Sequence, residues 1–545
     1  MYSDNAISLM IPDTIPSGAE LEKKYPPREL PAGALVTRFG PSPTGFLHIG
    51  GVYTAMISKN IALQSDGAYF VRIEDTDKKR EVAGVQEHFD EAFAYFDIAP
   101  TEDDSNGHYG PYKQSSRQDL YLSFVKQLLQ KERAYPCFCS EHDLQEKSDE
   151  QRREKVDTGY YGRWATCRSL DPAEAERRIA NGEEYVIRFR CEGEPGPFVF
   201  EDKIRGKTKV KNNINDVVIL KSSANAERLP TYHLAHAVDD HLMRVNLVIR
   251  GEEWLASVPL HLQLFDALGF EPIPYAHIAP LMKMDGKSRR KLSKRKDPEA
   301  SVEFYMQQGY PTTAVLSYLR GLANSKLANT TVEESLSLPI LLEDCQVSGA
   351  LVDLVKLNDV SANIVATMSA VDIREQVYAW AKQFDSELES LMSKHWDAIP
   401  SFIDADRFNN GRTRKDLTKW SDFTALYGFF FNEVFAYCES AEDARFDGVP
   451  AEVVSNFLSL YKEGYTHAEL NEDWFENLKA IAKEAGFAMN NKEYKQAPER
   501  FHGTMKEASL ILRIVITGRN NSPSLHEVCQ LIGKDEVLKR IAKVL

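Results

Sequence analysis

The sequence predicts an α/β protein: a parallel sheet in the N-terminal half, an inserted domain within it, and an all-α C-terminal half. Three observations predict this. Strand-like, helix-like and strand-like segments follow one another between Ala34 and Thr76. Sheet-and-helix texture returns at "PTYHLAHAVDDHLMRVNLVIRGEEWL" (Pro230 to Leu255) after a more polar, mixed stretch. Helical patterns dominate beyond Ala300.

Residues 1–33 are polar and proline-containing, and are expected to form an extended arm. "ALVTRF" (Ala34 to Phe39) reads as a short buried strand ended by Gly40 and Pro41. "GGVYTAMISKNIALQSDG" then places Val52, Met56, Ile57 and Ile61 at helical spacing, with Gly67 as the stop. "AYFVRIEDT" is the second strand, with carboxylates at its end. Parallel sheets built from such βαβ units bind ligands outside the carboxyl ends of their strands. On this pattern 34–133 forms the first half of the sheet domain and 229–300 the second. The insert spans 134–228, with "YVIRFR" and "DVVIL" as strands. Two helical domains follow, 301–400 and 401–545. Asp473-x-x-Glu476 is a candidate capping box ahead of Trp474, Leu478 and Ile481. Leu525, Val528 and Ile532 precede a Gly533 stop, and Val537, Leu538, Ile541 and Leu545 outline a last amphipathic helix.

Composition narrows the function classes. The 545 residues are 43% hydrophobic and 27% charged, too long a chain for one core. No run of apolar residues is long enough for a membrane span, and "MYSDNAISLMIPDTIP" lacks the basic start of a signal peptide. Seven cysteines are too few for a disulfide scaffold and fit a reducing cytoplasm. A net charge of −15 argues against nonspecific coating of nucleic acid. Positive charge is nonetheless concentrated in "KSRRKLSKRK" (Lys287 to Lys296) and "KIRGKTKVKNN" (Lys203 to Asn213), which are either nucleic-acid contacts or solvated loops.

"FGPSPTGFLHIGG" (Phe39 to Gly51) carries the chemistry. A helix amino end offers unpaired N–H groups and a partial positive charge, so phosphates bind there. Gly50 and Gly51 permit close approach of a ligand, and His48 is placed to donate a hydrogen bond to a phosphate. The alternative is a turn histidine without a role. The segment is not the G-x-G-x-x-G fingerprint of dinucleotide enzymes. Glu74, Asp75 and Asp77 read as a metal site or as an acidic turn at a strand end.

"TRFGPSPTGFLHIGG" resembles the first signature of class I aminoacyl-tRNA synthetases, nearly residue for residue in its glutamyl form, with Gly51 where many members carry a second histidine. "KLSKR" (Lys291 to Arg295) resembles the mobile lysine–serine loop of that class. The resemblance implies a class I Rossmann-like catalytic domain. It makes His48, Lys291 and Lys294 catalytic and sets His48, Gly50, Glu253 and Lys294 against ATP. Arg38 would hold the side-chain carboxylate of glutamate, which a bidentate guanidinium suits. Gly40 and Ser42 would touch the substrate, and Glu74 would face its ammonium group. Tyr232, His236 and Arg250 would complete the glutamate pocket, His236 standing where some members carry asparagine.

Cys137-x-Cys139 precedes "YYGRWATC", which ends in Cys167. Some bacterial members of the family bind zinc here. Three thiolates with Tyr161, or with His142, would make a tetrahedral site; buried free cysteines are the alternative. The ending "ITGRNNSPSLHEVCQLIGKDEVLKRI" resembles the helical anticodon end of bacterial-type glutamyl-tRNA synthetases. The resemblance implies glutamate, ATP with Mg2+ and tRNA(Glu) as substrates, an insert that holds the acceptor end, and a monomer in the cytoplasm. Anticodon contacts fall around "NNGRTRKDLTKW" (Asn409 to Trp420). A base-modifying glutamyl transferase would lack the helical half, a small-molecule adenylyltransferase would not need Arg38, and a non-catalytic RNA-binding relative would not keep His48, Lys291 and Lys294.

Overall fold

A computed structural model describes residues 2–409, 412–446 and 448–545. Asn410 and Gly411, in the segment expected to meet the anticodon, lie outside the described residues. The chain divides into two compact units: one runs to Tyr305 and takes back Val315–Asp353, the other holds Met306–Ala314 and Leu354–Leu545. Among the described residues no helix is long and apolar enough to cross a membrane.

The first unit begins its sheet as expected. Strand Val36–Phe39 is buried along its length and pairs in parallel with Ala68–Val71, Val36 opposite Ala68. Helix Ile49–Leu63 joins them and buries Val52, Met56, Ile57 and Ile61. Gly67 closes the return: a Cβ there would stand 1.9 Å from the Leu35 carbonyl oxygen, so only glycine fits. The second strand ends at Val71, so Glu74, Asp75 and Asp77 lie beyond it rather than at its last positions.

Four further strands form a sheet in the order Gly206–Lys211, Pro197–Asp202, Tyr275–Ile278, Val248–Gly251. The first two are a hairpin of the insert, and Pro197–Asp202 meets Tyr275–Ile278 in parallel through Asp202 and Tyr275. Asn246 N–H reaches the Val36 carbonyl at 3.2 Å, which brings Val248–Gly251 beside Val36–Phe39. Arg38 and Arg250 therefore stand near the carboxyl ends of neighbouring strands. The rest of the insert contains an antiparallel sheet of Ala134–Cys137, Val186–Phe189 and Val218–Leu220.

The N-terminal segment is not an extended arm. Ser3 caps helix Asp4–Met10, and a Ser17–Glu20 capping box starts helix Gly18–Lys24. Ile7, Met10, Ile11, Leu21 and Tyr25 are buried against the catalytic unit. Each such aliphatic side chain contributes about 1.5–3 kcal/mol, enough to overcome a polar composition. Glu22 adds contacts to His241 Nε2 at 2.5 Å and Arg244 at 2.6 Å.

The second unit is helical around an aromatic-rich core that includes Trp380, Phe402, Phe430 and Phe457. Two end signals differ from expectation. Helix Asn471–Glu484 begins at Leu470 without a side-chain cap, so Asp473 and Glu476 lie inside it and form no capping box. Thr504 and Glu507 do form one, at the start of Met505–Thr517. Helix Leu525–Ile532 ends at Gly533 as expected, and in the last helix, Lys534–Val544, Val544 rather than Leu545 completes the buried face.

Candidate active site

A cleft of about 820 Å³ opens at the carboxyl ends of the catalytic strands. Arg38, Gly40, Ser42, His48, Gly50, Glu74, Tyr232, Arg250, Glu253 and Lys291 all line it. Residues more than two hundred positions apart in the chain thus share one concave surface.

His48 is the N-cap of helix Ile49–Leu63, and its Nδ1 accepts the Gly50 N–H at 2.8 Å. Burial first, then the charges of Lys294 and Lys291, lower its pKa to about 4, against a partial offset from the Leu292 backbone. The ring is therefore neutral near pH 7. With Nδ1 accepting, its proton sits on Nε2 as a donor. Gly51 packs closely under two side chains: a Cβ there would stand 2.8 Å from Leu47 Cδ1 and 3.3 Å from Phe39 Cζ.

The lysine–serine loop lies at this end of the cleft. Strand Ser288–Lys291 pairs with Leu281–Asp285, and Arg290 grips Asp297 with two hydrogen bonds of 2.6 and 2.7 Å. Lys291 faces Glu253 at 3.6 Å. Lys294 does not line the cleft; its ammonium donates to the Phe46 carbonyl, within the first signature, and its burial lowers its pKa. The two signatures touch directly.

At the other end, Arg38 donates through Nε to both oxygens of Asp240 at 3.1 and 3.2 Å, and through Nη1 to the Ile249 carbonyl at 3.4 Å. Glu74 accepts from Arg72 at 3.0 Å, while burial raises its pKa against the pull of Arg72 and Arg38. Gly40 makes room for it, since a Cβ there would lie 2.4 Å from Glu74 Oε1. Arg250 donates to the Tyr232 hydroxyl at 3.3 Å, and the Tyr232 ring packs on Trp254 at 4.2 Å.

His236 departs from expectation. It is fully buried and lies outside the cleft lining, held between Asp240 at 2.9 Å and the Tyr275 hydroxyl at 3.0 Å. Its reach toward the pocket is indirect, through Asp240.

Sequence reasoning missed the layer behind the cleft. Asp240 accepts from Arg38 and Arg72 and lies 2.9 Å from His236 Nδ1, and Asp239 accepts from Arg117 at 2.6 Å, Gln114 at 2.8 Å and Tyr121 at 2.8 Å. Both aspartates and both Arg72 and Arg117 are buried. Burial opposes the Asp240 charge, but Arg38 and Arg72 overcome it and hold its carboxyl well below the usual range. A signal was present: two adjacent acids sit in helix Tyr232–Leu242 among the buried Ala235, Val238 and Leu242. Buried acids in such a place require cationic partners.

The thiols of Cys137, Cys139 and Cys167 gather within 4.8 Å of one another, with Cys139 and Cys167 sulfurs 3.7 Å apart. The edge of a tetrahedron with Zn–S bonds near 2.3 Å is about 3.8 Å. The tyrosine that faces them is Tyr160, whose hydroxyl lies 3.4 Å from Cys137 and 3.3 Å from Cys139. Tyr161 turns away and donates to the Asp157 carbonyl at 2.6 Å, and His142 is exposed beside Glu146. Both are corrected by the geometry: adjacent tyrosines at this turn point in different directions.

The stretch 34–357 matches the family described as "tRNA synthetases class I (E and Q), catalytic domain", and 491–545 matches an "Anticodon binding domain". The chain is 42% identical over 530 residues to the glutamate–tRNA ligase of Acetivibrio thermocellus, covering 96% of this chain and 95% of that one. It is 40% identical over 556 residues to the glutamate–tRNA ligase of Clostridium perfringens (strain SM101 / Type A), covering 100% of both. A crystal structure of a glutamate tRNA ligase from Elizabethkingia meningosepticum in complex with its amino acid aligns with a TM-score of 0.75 and 26% identity, over 93% of this chain and 98% of that one.

Proposed function

The chain belongs to the class I tRNA synthetases (E and Q), and we propose how its cleft divides the work of joining L-glutamate to tRNA(Glu). The activity is that of a glutamate–tRNA ligase in protein biosynthesis. Glutamate is activated with ATP to glutamyl-adenylate and diphosphate. The glutamyl group then passes to the 3′-terminal adenosine of the tRNA, releasing AMP.

One observation carries the assignment of roles: two guanidinium groups, Arg38 and Arg250, meet the same cleft as the carboxylate of Glu74, while the neutral His48 and Lys291 occupy its other end. Two cations with one anion suit a substrate bearing two carboxylates and one ammonium. Arg38 takes the side-chain carboxylate, Glu74 the ammonium, and Tyr232 with Arg250 the remaining face, with Gly40 and Ser42 against the chain of the substrate. In adenylate formation a carboxylate oxygen of glutamate attacks the α-phosphorus of ATP, and the bond to pyrophosphate breaks. His48 Nε2–H donates to the phosphate as its charge grows, at a helix amino end that favours anions. Glu253 and Gly50 border the nucleotide. Lys291 and Lys294 leave Glu253 and Phe46 to meet the departing pyrophosphate. Magnesium enters with ATP as its counter-ion.

The donor set of Cys137, Cys139, Cys167 and Tyr160 fits zinc. When bound, the ion would supply a structural cross-link between the end of strand Ala134–Cys137 and the turn before Cys167. The insert holds the acceptor end, the C-terminal helices read the anticodon, and the enzyme works as a monomer in the cytoplasm. ATP–pyrophosphate exchange with glutamate, with and without tRNA(Glu), tests this reading. Exchange that ignores glutamate would defeat it.

A further inference from the structure

Arg38 and Arg250 differ in what holds them. Arg38 has a carboxylate of its own in Asp240. Among the described residues Arg250 pairs with no carboxylate directly. Its Nε donates to His277 Nε2 at 3.0 Å, and its remaining N–H groups meet Tyr232, His261 and the Trp254 carbonyl at 3.2–3.3 Å. Its guanidinium also lies 4.6 Å from the centre of the Tyr275 ring.

The carboxylate is one residue further away. His277 Nδ1 stands 2.6 Å from Asp202 Oδ2. A guanidinium Nε–H only donates, so His277 Nε2 must be the bare nitrogen, and the proton must sit on Nδ1, where it donates to Asp202. Asp202 itself cannot turn freely. Its Oδ1 accepts the Ile204 and Arg205 N–H groups at 3.0 Å each, and its Oδ2 accepts the His277 N–H at 3.1 Å. Burial pushes the Asp202 carboxyl up, but these hydrogen bonds hold it below the usual range. For His277, burial and the Arg250 charge outweigh Asp202 and keep the ring neutral.

Asp202 belongs to the inserted hairpin, at the end of strand Pro197–Asp202. Arg205, in the turn that follows, reinforces the junction by donating to the His277 carbonyl at 3.2 Å and pairing with Glu252. The hairpin of the insert is thus tied to the amino-acid cleft through one imidazole.

Resting on the reading that Arg250 meets the substrate, we propose that Asp202 and His277 are its positioning residues: the Asp202 carboxylate fixes the His277 tautomer, and that tautomer aims the Arg250 guanidinium into the cleft. Asp202→Asn reverses the polarity of this chain. Its oxygen must still serve Ile204 and Arg205, so its NH2 faces His277 Nδ1 and drives the proton to Nε2. There it meets the Arg250 Nε–H donor to donor. The expected result is a rise of about tenfold in glutamate KM with ATP KM little changed, since a small misplacement of a binding group is costly; the new NH2 also takes the place of the oxygen that accepts the His277 N–H, so the melting temperature falls as well.

His277→Gln and His277→Leu provide the second test. A glutamine can offer its oxygen to Arg250 and its NH2 to Asp202, so glutamate KM should stay near that of the parent; leucine should raise it as Asp202→Asn does. A purely structural role predicts parallel losses of melting temperature and no such split. Should Asp202→Asn fail to fold, the His277 pair decides. Equal glutamate KM in the glutamine and leucine variants overturns the proposal. Arg250→Ala is measured alongside. If it raises glutamate KM while Asp202→Asn and His277→Leu do not, the positioning proposal alone falls. If Arg250→Ala leaves glutamate KM unchanged, the substrate-binding role of Arg250 falls and the proposal with it.

Discussion

Asp240 grips Arg38 through its Nε edge, at 3.1 Å from Oδ2, and so turns the other edge of the guanidinium toward the cleft. The same carboxylate holds Arg72 at 2.5 Å, and Arg72 in turn holds Glu74 at 3.0 Å. One buried anion therefore orients both a cation and, through Arg72, an anion of the proposed glutamate pocket.

Arg38→Ala is expected to raise glutamate KM steeply, and Arg38→Lys to recover little, because an ammonium cannot reproduce the two-pronged grip of a guanidinium. Steady-state kinetics with glutamate, alongside thermal unfolding, checks this. A normal KM with a lowered melting temperature would reduce Arg38 to a structural ion pair.

Asp240→Ala should be far more damaging to the fold. It strips two buried guanidinium groups of their shared partner, and breaking a buried ion pair in this way costs about 3–5 kcal/mol. The carboxyl lies well below its ordinary range in the folded state. Its contribution is thus fully present above the unfolded pKa of about 3.9 and lost as pH falls further. Urea unfolding between pH 2 and pH 5 should show a shallower acid dependence in Asp240→Asn than in the parent.

Lys294→Ala should lower the turnover number for adenylate formation by roughly a hundredfold, about 3 kcal/mol of barrier, with glutamate affinity nearly intact. The ammonium rests on the Phe46 carbonyl, and the role proposed for it is to meet the pyrophosphate as it leaves. An unchanged turnover number would remove Lys294 from the reaction.

The pKa of His48, lowered to about 4, makes a separate claim. A folded value below the unfolded one near 6.5 stabilises the protein at neutral pH, and that stability is lost as pH falls from about 6.5 toward 4. Between pH 6 and pH 8, kcat/KM for exchange should show no ionisation assignable to His48. A limb near pH 6.5 that disappears in His48→Asn would contradict the geometry.

Zinc should be present at about one ion per chain, by elemental analysis of protein purified without a metal-binding tag. Tyr160→Phe or Cys139→Ser should weaken its retention, whereas Tyr161→Phe should leave it unaffected, since the Tyr161 hydroxyl serves the Asp157 backbone. Metal-free protein of full activity would return the thiols to the core.

What the sequence determined by itself was local. The βαβ order, the Gly67 stop, the His48 cap position and the helical C-terminal half all follow from nearest-neighbour patterns, because turns and periodic faces are set within a few residues. The signature segments carried Arg38, Gly40, Ser42, His48, Gly50 and Lys291 of the residues that line the cleft. Tertiary structure decided whatever depended on distant partners. Whether residues 1–33 stay extended depended on a surface able to bury Ile7, Ile11 and Leu21. Which of two adjacent tyrosines meets the thiols depended on the path of the turn. Asp239 and Asp240 find their partners only when Arg38, Arg72 and Arg117 arrive from other elements. Asp202 reaches His277, and through it Arg250, only because an inserted hairpin joins the catalytic sheet. A buried charge is tolerable only with its counter-charge beside it, and no local pattern records a partner more than a hundred residues away.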